Sequence, residues 1–340
     1  MSTLTPYSTM NMAEAAKRRF NGAQQTIAMT LSERNDIIKD APITMANDVW
    51  SHVTTRDFNL AAPDPRRFNA GAAANRSETE QIRDAIMLLE LPIEIDEDIV
   101  DHQPDPEAFM AGEMALNVEG SAQRLAYYMV YGDPGGSSAA SPPQGAQVIR
   151  GWMPRRSALG ANGAATGTNC VGAGGTGSDL TSLYVAEWHP VNFHLVHPLN
   201  DMGMGIEVND KGKLRVTDSS NNPFWAYVHQ IKIKLGMVLA DERALQRIAN
   251  VEASDATNNF IDSTKVRLIT QALRRLPLGG EGQSGIYVNR TVAAQLDIFA
   301  DEKTNGFYPA PDVTGRQITT YRGVPVRMVE QISDTELAAS

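Results

Sequence analysis

The sequence predicts an α+β protein. Three features in chain order carry that prediction: a long excursion of two strands, a single long helix, and a compact C-terminal lobe in which strands and helices alternate. Alternating apolar residues indicate strands, and apolar residues at a spacing of 3.6 indicate a helix. With 340 residues, of which 42% are hydrophobic and 21% charged, the chain is long enough for about two domains with a sizeable core.

The excursion consists of strands predicted at residues 49–56 and 87–96, separated by a polar stretch rich in Ala, Pro and Arg at 61–76. One face of the return strand is apolar and carries Met87, Leu89, Leu91, Ile93 and Ile95. Pro92 has no N–H to donate, so this strand should lie at a sheet edge or in a two-stranded arm. A solitary hairpin is only marginally stable in water, so we expect it to lie on another surface, most simply that of a neighbouring subunit.

The long helix is predicted at 105–131 because its start and its end are both well marked. Asp105 is a good N-cap, Pro106 suits the first helical position, and Glu107 complements the helix dipole. A single apolar stripe then follows, formed by Met110, Met114, Val118, Ala122, Leu125 and Met129. The Gly-rich sequence from Gly132 onward ends the helix, giving a rod on the order of 40 Å long. Interior glycines weaken it, so packing must hold it.

The rest of the chain divides into an arm, a loop and shorter elements. Residues 1–23 are predicted to form a flexible arm, a short amphipathic helix should end at 40–42, and a loop rich in Gly and Ser covers 132–179. Strands are predicted at 183–195, interrupted at Pro190, and at 206–208, 214–216 and 227–235, with a hairpin turn at 209–212 and a short helix at 241–250.

In the C-terminal third, predicted helices alternate with predicted strands. Ser263 and Asn289 should each cap a helix, with a strand at 286–288 between the two helices. Two final strands, at 317–321 and 324–329, should turn at Arg322-Gly323.

Charge and cysteine content narrow the function classes. The formal net charge of −10 disfavours a dedicated nucleic-acid binder, whose affinity comes chiefly from phosphate neutralisation, but not a container that encloses DNA. Cys170 is the only cysteine, which excludes an intrachain disulfide and favours a reducing cytoplasm. We find no signal peptide and no run of about 18 apolar residues, so we expect no membrane span.

Two motifs resemble ligand sites but are better explained structurally. Residues 172–177 match GxGxxG, yet a dinucleotide site needs a strand before it and a helix after it, whereas here a polar loop precedes and a strand follows. His194 and His197 should point to opposite faces of a strand, and with His189 they are more simply structural residues than metal ligands. We therefore expect no metal, no cofactor and no enzyme activity.

An acidic run begins at the end of the hairpin, and two basic pairs are candidate partners for it. We interpret these carboxylates as a solvated face or an electrostatic partner for a basic patch, and not as catalytic groups. One basic pair lies at the hairpin tip and the other follows the long helix. The candidate assembly contacts are Arg66, Arg67, Arg155, Arg156, Glu94 and Asp96.

In order and spacing, several stretches resemble the major capsid proteins of tailed bacteriophages, which share the Hong Kong ninety-seven fold. No single motif is specific, but together the stretches span residues 33–326. They are 33–42 (ERNDIIKDAP), 154–156 (PRR), 173–179 (AGGTGSD), 247–250 (RIAN), 287–291 (YVNRT) and 320–326 (TYRGVPV).

The resemblance implies a domain plan: an N-terminal arm at 1–48, an extended loop at 49–96, a peripheral domain at 97–261 built on the spine helix 105–131, and an axial domain with the C-terminus at 262–340. In the best-known member of the fold, peripheral strands follow the axial lobe. Here they should precede it, which resembles the permuted topology of some short-tailed phages.

The resemblance also implies a function. The protein would be a structural major capsid protein that assembles itself, as hexamers and pentamers, into an icosahedral head around double-stranded phage DNA in the host cytoplasm. Scaffolding, portal and decoration proteins would be further partners. The alternatives are an encapsulin-like nanocompartment shell, a tail or portal protein, and an enzyme with a Gly-rich lid.

Overall fold

The computed structural model describes residues 35–71, 74–134, 147–159, 169–201, 203, 205–253, 263–277, 283–302, 307–311 and 317–339. The predicted arm before residue 35 and most of the predicted Gly-rich loop lie outside the described residues.

Among these residues the elements are as follows. The helices are α1 (Asp36–Asp40), α2 (Glu97–Asp101), α3 (Pro106–Tyr131), α4 (Trp152–Arg155), α5 (Ser263–Arg275) and α6 (Arg290–Glu302). The strands are β1 (Ile43–Met45), β2 (Ser51–Asn59), β3 (Glu78–Asp96), β4 (Cys170–Gly172), β5 (Leu180–Trp188), β6 (Phe193–His197), β7 (Ile206–Thr217), β8 (Pro223–Leu239), β9 (Leu245–Glu252), β10 (Gln283–Val288), β11 (Phe307–Pro311), β12 (Gln317–Tyr321) and β13 (Val324–Met328).

A hairpin of β2 and β3 forms at the edge of the first sheet, whose order is β1-β6-β8-β3-β2 with β7 also paired to β8. Its return strand begins at Glu78 and not at Met87, and the segment 87–96 that was predicted to pair with β2 pairs with β8 instead. β2 pairs antiparallel with the first part of β3, up to Ala85, and the rest of β3 pairs with β8. Pro92 lies opposite Gln230 of β8, beyond the end of the β2 pairing. The strand is therefore at an edge where the proline occurs, as its missing donor requires.

The predicted spine helix is confirmed as α3. The Asp105 carboxylate accepts a hydrogen bond from the Ala108 N–H (3.0 Å), and the Gly132 N–H donates to the Tyr128 carbonyl (2.8 Å). Buried residues concentrate in the C-terminal half of α3, from Val118 onward, while the first turns are largely exposed. The helix is thus fixed to the core at one end, and its other end lies along the first sheet.

The second sheet has the order β11-β12-β13-β10-β5-β9-β4. On one face it packs against α5 and α6, with Ile269 and Leu296 buried there. On the other face Tyr184 and Trp188 join one large apolar cluster with the buried half of α3, with Trp152 and with the inner face of the first sheet. The core therefore lies between the two sheets, with α3 running through it.

The segment that contains α1 and β1 ties the two sheets together. The Asp40 carboxylate accepts hydrogen bonds from the Tyr287 hydroxyl (2.9 Å) and from both Nε (3.0 Å) and Nη2 (2.9 Å) of Arg327 in the second sheet. A few residues later β1 pairs in parallel with β6 of the first sheet. These contacts explain why the amphipathic stretch at 36–40, which is followed by Pro42, is buried where the two sheets meet.

Two predictions about the middle of the chain are wrong, and a third gave the strand break but not the change of sheet. The helix expected at 241–250 is a single 3-10 turn followed by β9, whose residues are almost all buried. A strand buried on both faces has no alternation, so its apolar spacing imitated a helix. The strand predicted at 183–195 is interrupted around Pro190 as expected, but its two parts, β5 and β6, belong to different sheets. The turn expected at 209–212 is a bulge within β7.

The bulge uses the same chemistry that suggested a turn. Gly212 has a φ of +69°, and its N–H donates to the Asp210 carboxylate (2.8 Å). A glycine in this conformation makes a bulge as readily as a two-residue turn. The chain actually reverses at residues 218–222, where the Asp218 carboxylate accepts from the N–H groups of Ser220 and Asn222, both at 2.8 Å.

Strand pairing crosses the domain boundary that was proposed at residue 261. β5 pairs with β10 on one side and with β9 on the other, so strands from before and after residue 261 form one sheet. The proposed boundary at 261 thus runs through a sheet rather than between two sheets.

Candidate assembly surface

The tip of the hairpin is fully solvent-exposed and carries an unpartnered aromatic side chain. Every described residue from 60 to 77 is exposed, and Phe68 has a relative exposure of 101%. A local turn shapes the tip: Asn69 has a φ of +60°, and Arg66 Nη1 donates to the Ala70 carbonyl (2.9 Å). Arg66, Arg67 and Phe68 therefore form a basic and apolar knob that touches nothing else in the described part of the chain.

The hairpin is held firmly at its base, so the knob is presented at a distance. The nine residues of β2 extend about 30 Å at the rise of a β-strand. Arg56 bridges Glu80 of β3 (3.0 Å) and Glu242 beside β9. The Asn47 side chain bonds both the N–H (2.9 Å) and the carbonyl (2.7 Å) of Val53. These contacts fix the direction in which the hairpin leaves the body.

The structure corrects the expectation for Arg155 and Arg156, because both are buried within the chain. Arg155 Nη2 donates to the Asp84 carboxylate (2.6 Å) and to the Met237 carbonyl (2.9 Å), which ties the hairpin base to β8. Arg156 is 1% exposed; its Nε donates to the Leu245 carbonyl (2.8 Å) and its guanidinium pairs with Glu242. Burial lowers the pKa of Arg156, with Glu242 acting in the opposite direction. Neither side chain is free to meet a neighbour.

The two acidic candidates have different environments. Glu94 is exposed on β3 opposite Val228. Asp96 caps α2, where its carboxylate accepts from the Asp98 N–H (2.9 Å). Asp96 thus has a role inside the chain, whereas Glu94 is available at the surface.

Lys213 neutralises much of the remaining acidic run. Its ammonium group donates to Glu97 (2.7 Å) and Asp101 (2.9 Å), and the Tyr227 hydroxyl donates to Asp101 (2.8 Å). The hydrogen bonds from Lys213 and then Tyr227 lower the pKa of Asp101. These contacts arrange the run as a solvated structural cluster.

Sequence reasoning missed an apolar groove between α3 and the first sheet. It has a volume of about 310 Å³, its wall residue Leu116 is 66% exposed, and a Cβ added at Gly120 would meet no atom within 4 Å. The only available signal was a glycine and an out-of-stripe leucine in a helix that needs packing. The lining residues are Leu89, Glu90, Leu91, Leu116, Asn117, Gly120, Ser121, Arg124, Ile231 and Ile233.

The histidines lie apart from this surface. His194 and His197 are buried on β6, and the rings of His194 and His52 meet edge to face at 5.8 Å. Burial, followed by the neighbouring His52, lowers the pKa of His194 to about 4. Within the described ranges, no group of three or more His, Cys, Asp or Glu residues could hold a metal ion.

The glycine motif is a connection between two strands. Gly172 ends β4, and β5 begins at Leu180, so a strand and not a helix follows the loop in the chain. A Cβ added at Gly175 would lie 2.6 Å from the Asn250 carbonyl oxygen, so a close backbone approach accounts for that glycine. Separately, no described helix is long and apolar enough to cross a membrane.

Comparisons with known protein families and solved structures found matches that cover most of the chain. A family model described as "Major capsid protein GP7" matches residues 20–340. No curated protein matches. The solved structure of bacteriophage Epsilon15 aligns with a TM-score of 0.61 at 22% identity, covering 88% of each chain, which shows a shared fold.

Two further structures align more loosely. The bacteriophage JBD30 capsid aligns at 7% identity over 86% of this chain and 88% of its own, with a TM-score of 0.45. The SrpI encapsulin complex of Synechococcus elongatus aligns at 10% identity over 68% and 90%, with a TM-score of 0.39.

Proposed function

Since the chain belongs to the Major capsid protein GP7 family, we propose that it builds an icosahedral phage head from hexamers and pentamers around double-stranded DNA. It is a structural capsid protein of the virion and not an enzyme. The observation that carries the proposal is the family match over nearly the whole chain, and assembly would take place in the host cytoplasm. The proposed plan keeps an arm at 1–48, an extended loop at 49–96, a peripheral domain at 97–261 and an axial domain at 262–340.

The knob at the hairpin tip supports a specific subunit contact. An aromatic side chain fully exposed to water costs free energy unless another surface covers it, and aromatic and arginine side chains dominate interface energies. Arg66 and Arg67 add positive charge where the turn begins, and Glu94 offers an exposed carboxylate for them. We propose that Arg66, Arg67 and Phe68 contact a neighbouring subunit.

The groove beside α3 has the chemistry to receive the knob. Its walls are mostly apolar, with Glu90 and Arg124 among the lining residues, and Gly120 leaves space where a side chain would otherwise stand. Within one chain the two features lie far apart, because the 11 residue steps from Glu78 to Leu89 along β3 extend about 36 Å. A knob and groove of the same molecule therefore cannot meet without bending the hairpin, whereas those of two copies can.

Charge reversal at the tip tests the contact. The double variant R66E/R67E should fold normally, since neither side chain packs against the body, but it should form few closed shells by negative-stain electron microscopy. K211E/R215E is the matched control, because it makes the same charge change at two other exposed residues. Shells of normal yield from R66E/R67E would refute the contact.

Expression of the chain alone and with its neighbouring genes tests the shell itself. Closed icosahedral particles with fivefold and sixfold capsomers are expected, and need for the neighbouring genes would indicate a separate scaffold. A dispersed monomer under both conditions would contradict the proposed assembly.

A further inference from the structure

Positive charge is concentrated on one part of this acidic protein. The segments α5 and β12–β13 (residues 263–275 and 317–328) together hold six of the 30 Lys and Arg residues and none of the 40 Asp and Glu residues. Arg327 already forms an ion pair with Asp40. The other five are Lys265, Arg267, Arg274, Arg275 and Arg322.

The helix geometry aligns two of these arginines on one exposed stripe. Arg267, Thr270 and Arg274 follow each other at intervals of three and four residues, which places them on one helix face. Arg267 and Arg274 are exposed, and neither makes a hydrogen bond or an ion pair with a residue that the structure describes. Seven residues at the helical rise separate them by about 10 Å.

A third arginine joins the stripe from the other element. The Thr270 hydroxyl and the Tyr321 hydroxyl are hydrogen-bonded at 2.5 Å, which fixes the β12–β13 turn beside α5. Arg322, the exposed first residue of that turn, lies with its guanidinium carbon 5.7 Å from the centre of the Tyr321 ring. The basic patch of Arg267, Arg274 and Arg322 is thus built by tertiary contacts and not by one helix alone.

The chemistry of the patch fits a phosphate backbone. Guanidinium groups bind phosphate oxygens through two parallel hydrogen bonds, and a separation of about 10 Å is close to the width of about 12 Å of the major groove of B-DNA. A second copy of the chain is a poorer fit, because in its acidic run Glu97 and Asp101 are already paired with Lys213 and Glu94 is assigned to Arg66 and Arg67.

We propose that the basic patch contacts the backbone of the enclosed DNA without reading its sequence. This inference rests on the proposed enclosure of DNA by the shell, and it places α5 on the inner surface. Such contacts are strongly weakened by salt. Because the rest of the subunit is acidic, the contact is local and the DNA is not held along the whole inner wall.

The test uses the full-length subunit below its assembly concentration and a short fluorescent DNA duplex. Binding anisotropy is measured over a range of NaCl concentrations for the wild type, for R267Q/R274Q and for the charge-matched control K211Q/R215Q. We expect R267Q/R274Q to weaken binding by about tenfold or more and to reduce the salt slope by about 1.8, at about 0.9 for each lost phosphate contact. The control should bind like the wild type.

Three results would overturn the inference. Equal losses in both variants would mean that only net charge matters, and absence of binding by the wild type at low salt would remove the contact altogether. Failure of R267Q/R274Q to form shells would assign the patch to a subunit interface. Failure of the wild type to form shells would instead contradict the proposed function, whatever the DNA titration shows.

Discussion

The substitution Glu336→Gln should destabilise the fold strongly, although Glu336 lies near the end of the chain. The side chains of Glu336 and Arg247 are only 3% and 2% exposed, and Arg247 Nη2 donates to the carboxylate at 2.9 Å. The Tyr131 hydroxyl at the end of α3 donates to the same carboxylate at 2.6 Å, and so does the Ser182 hydroxyl. One carboxylate therefore joins the spine helix to β5 and β9.

The magnitude follows from what the variant leaves behind. Glutamine keeps the size of the side chain but removes its charge, so the guanidinium of Arg247 stays buried without a counter-ion. Breaking a buried pair in this way costs about 3–5 kcal/mol. Burial and the charge of Glu336 raise the pKa of Tyr131, so its hydroxyl remains a donor over the whole accessible pH range and cannot compensate.

Urea denaturation of the unassembled subunit, followed by tryptophan fluorescence, measures the loss. The matched control is Glu330→Gln, which removes an exposed ion pair with Arg290, whose side chains are 52% and 76% exposed. An exposed pair of this kind contributes about 0.5 kcal/mol.

Similar free energies of unfolding for Glu336→Gln and Glu330→Gln would refute the reasoning. It would mean that water reaches Arg247 or that the C-terminal segment leaves its site in solution.

Three further predictions concern pH, backbone approach and the groove. The pKa of His194 in the folded chain, about 4, lies below its ordinary value of 6.5, so the unfolded chain takes up the proton first. Stability should thus be full above pH 6.5 and fall by about 3 kcal/mol toward pH 4, and His194→Gln should remove that decline in urea titrations. Gly151→Ala should destabilise the subunit by about 2 kcal/mol or more in the same assay, because the new Cβ would lie 2.6 Å from the Val130 carbonyl oxygen. Gly112→Ala and Gly120→Ala both add a Cβ in open space and should stabilise α3 by about 0.5–1 kcal/mol. Only Gly120→Ala should slow shell assembly in light scattering, and equal assembly rates would exclude the groove as the receiving site.

Elements whose signals lie within a few residues could be predicted from the sequence. The spine helix has its cap, its first-turn proline and its terminating glycine next to the apolar stripe, and the structure confirms each. The final turn is another case: Arg322 and Gly323 both have positive φ, at +52° and +82°, as a two-residue hairpin turn requires. The exposure of Arg66 and Arg67 at the hairpin tip belongs to the same group, because a polar loop between two strands must be exposed.

Tertiary structure alone decided which elements became partners. Arg155 and Arg156 resembled a surface pair, but Arg155 meets Asp84, 71 positions away, and Arg156 meets Glu242, 86 positions away. No feature of the sequence near either arginine predicts its contact with the carboxylate that it meets.

The same holds for residues 245–252 and for the groove. The sequence allowed β9 to be a helix, and the strand formed because β5 and β4 were available on its two sides. The groove exists only because the folded chain places two turns of α3, at residues 116–124, beside β3 and β8. Caps, turns and periodicity depend on neighbours in the chain, which the sequence determines, whereas pairing and burial depend on residues tens of positions away, which only the folded chain brings together.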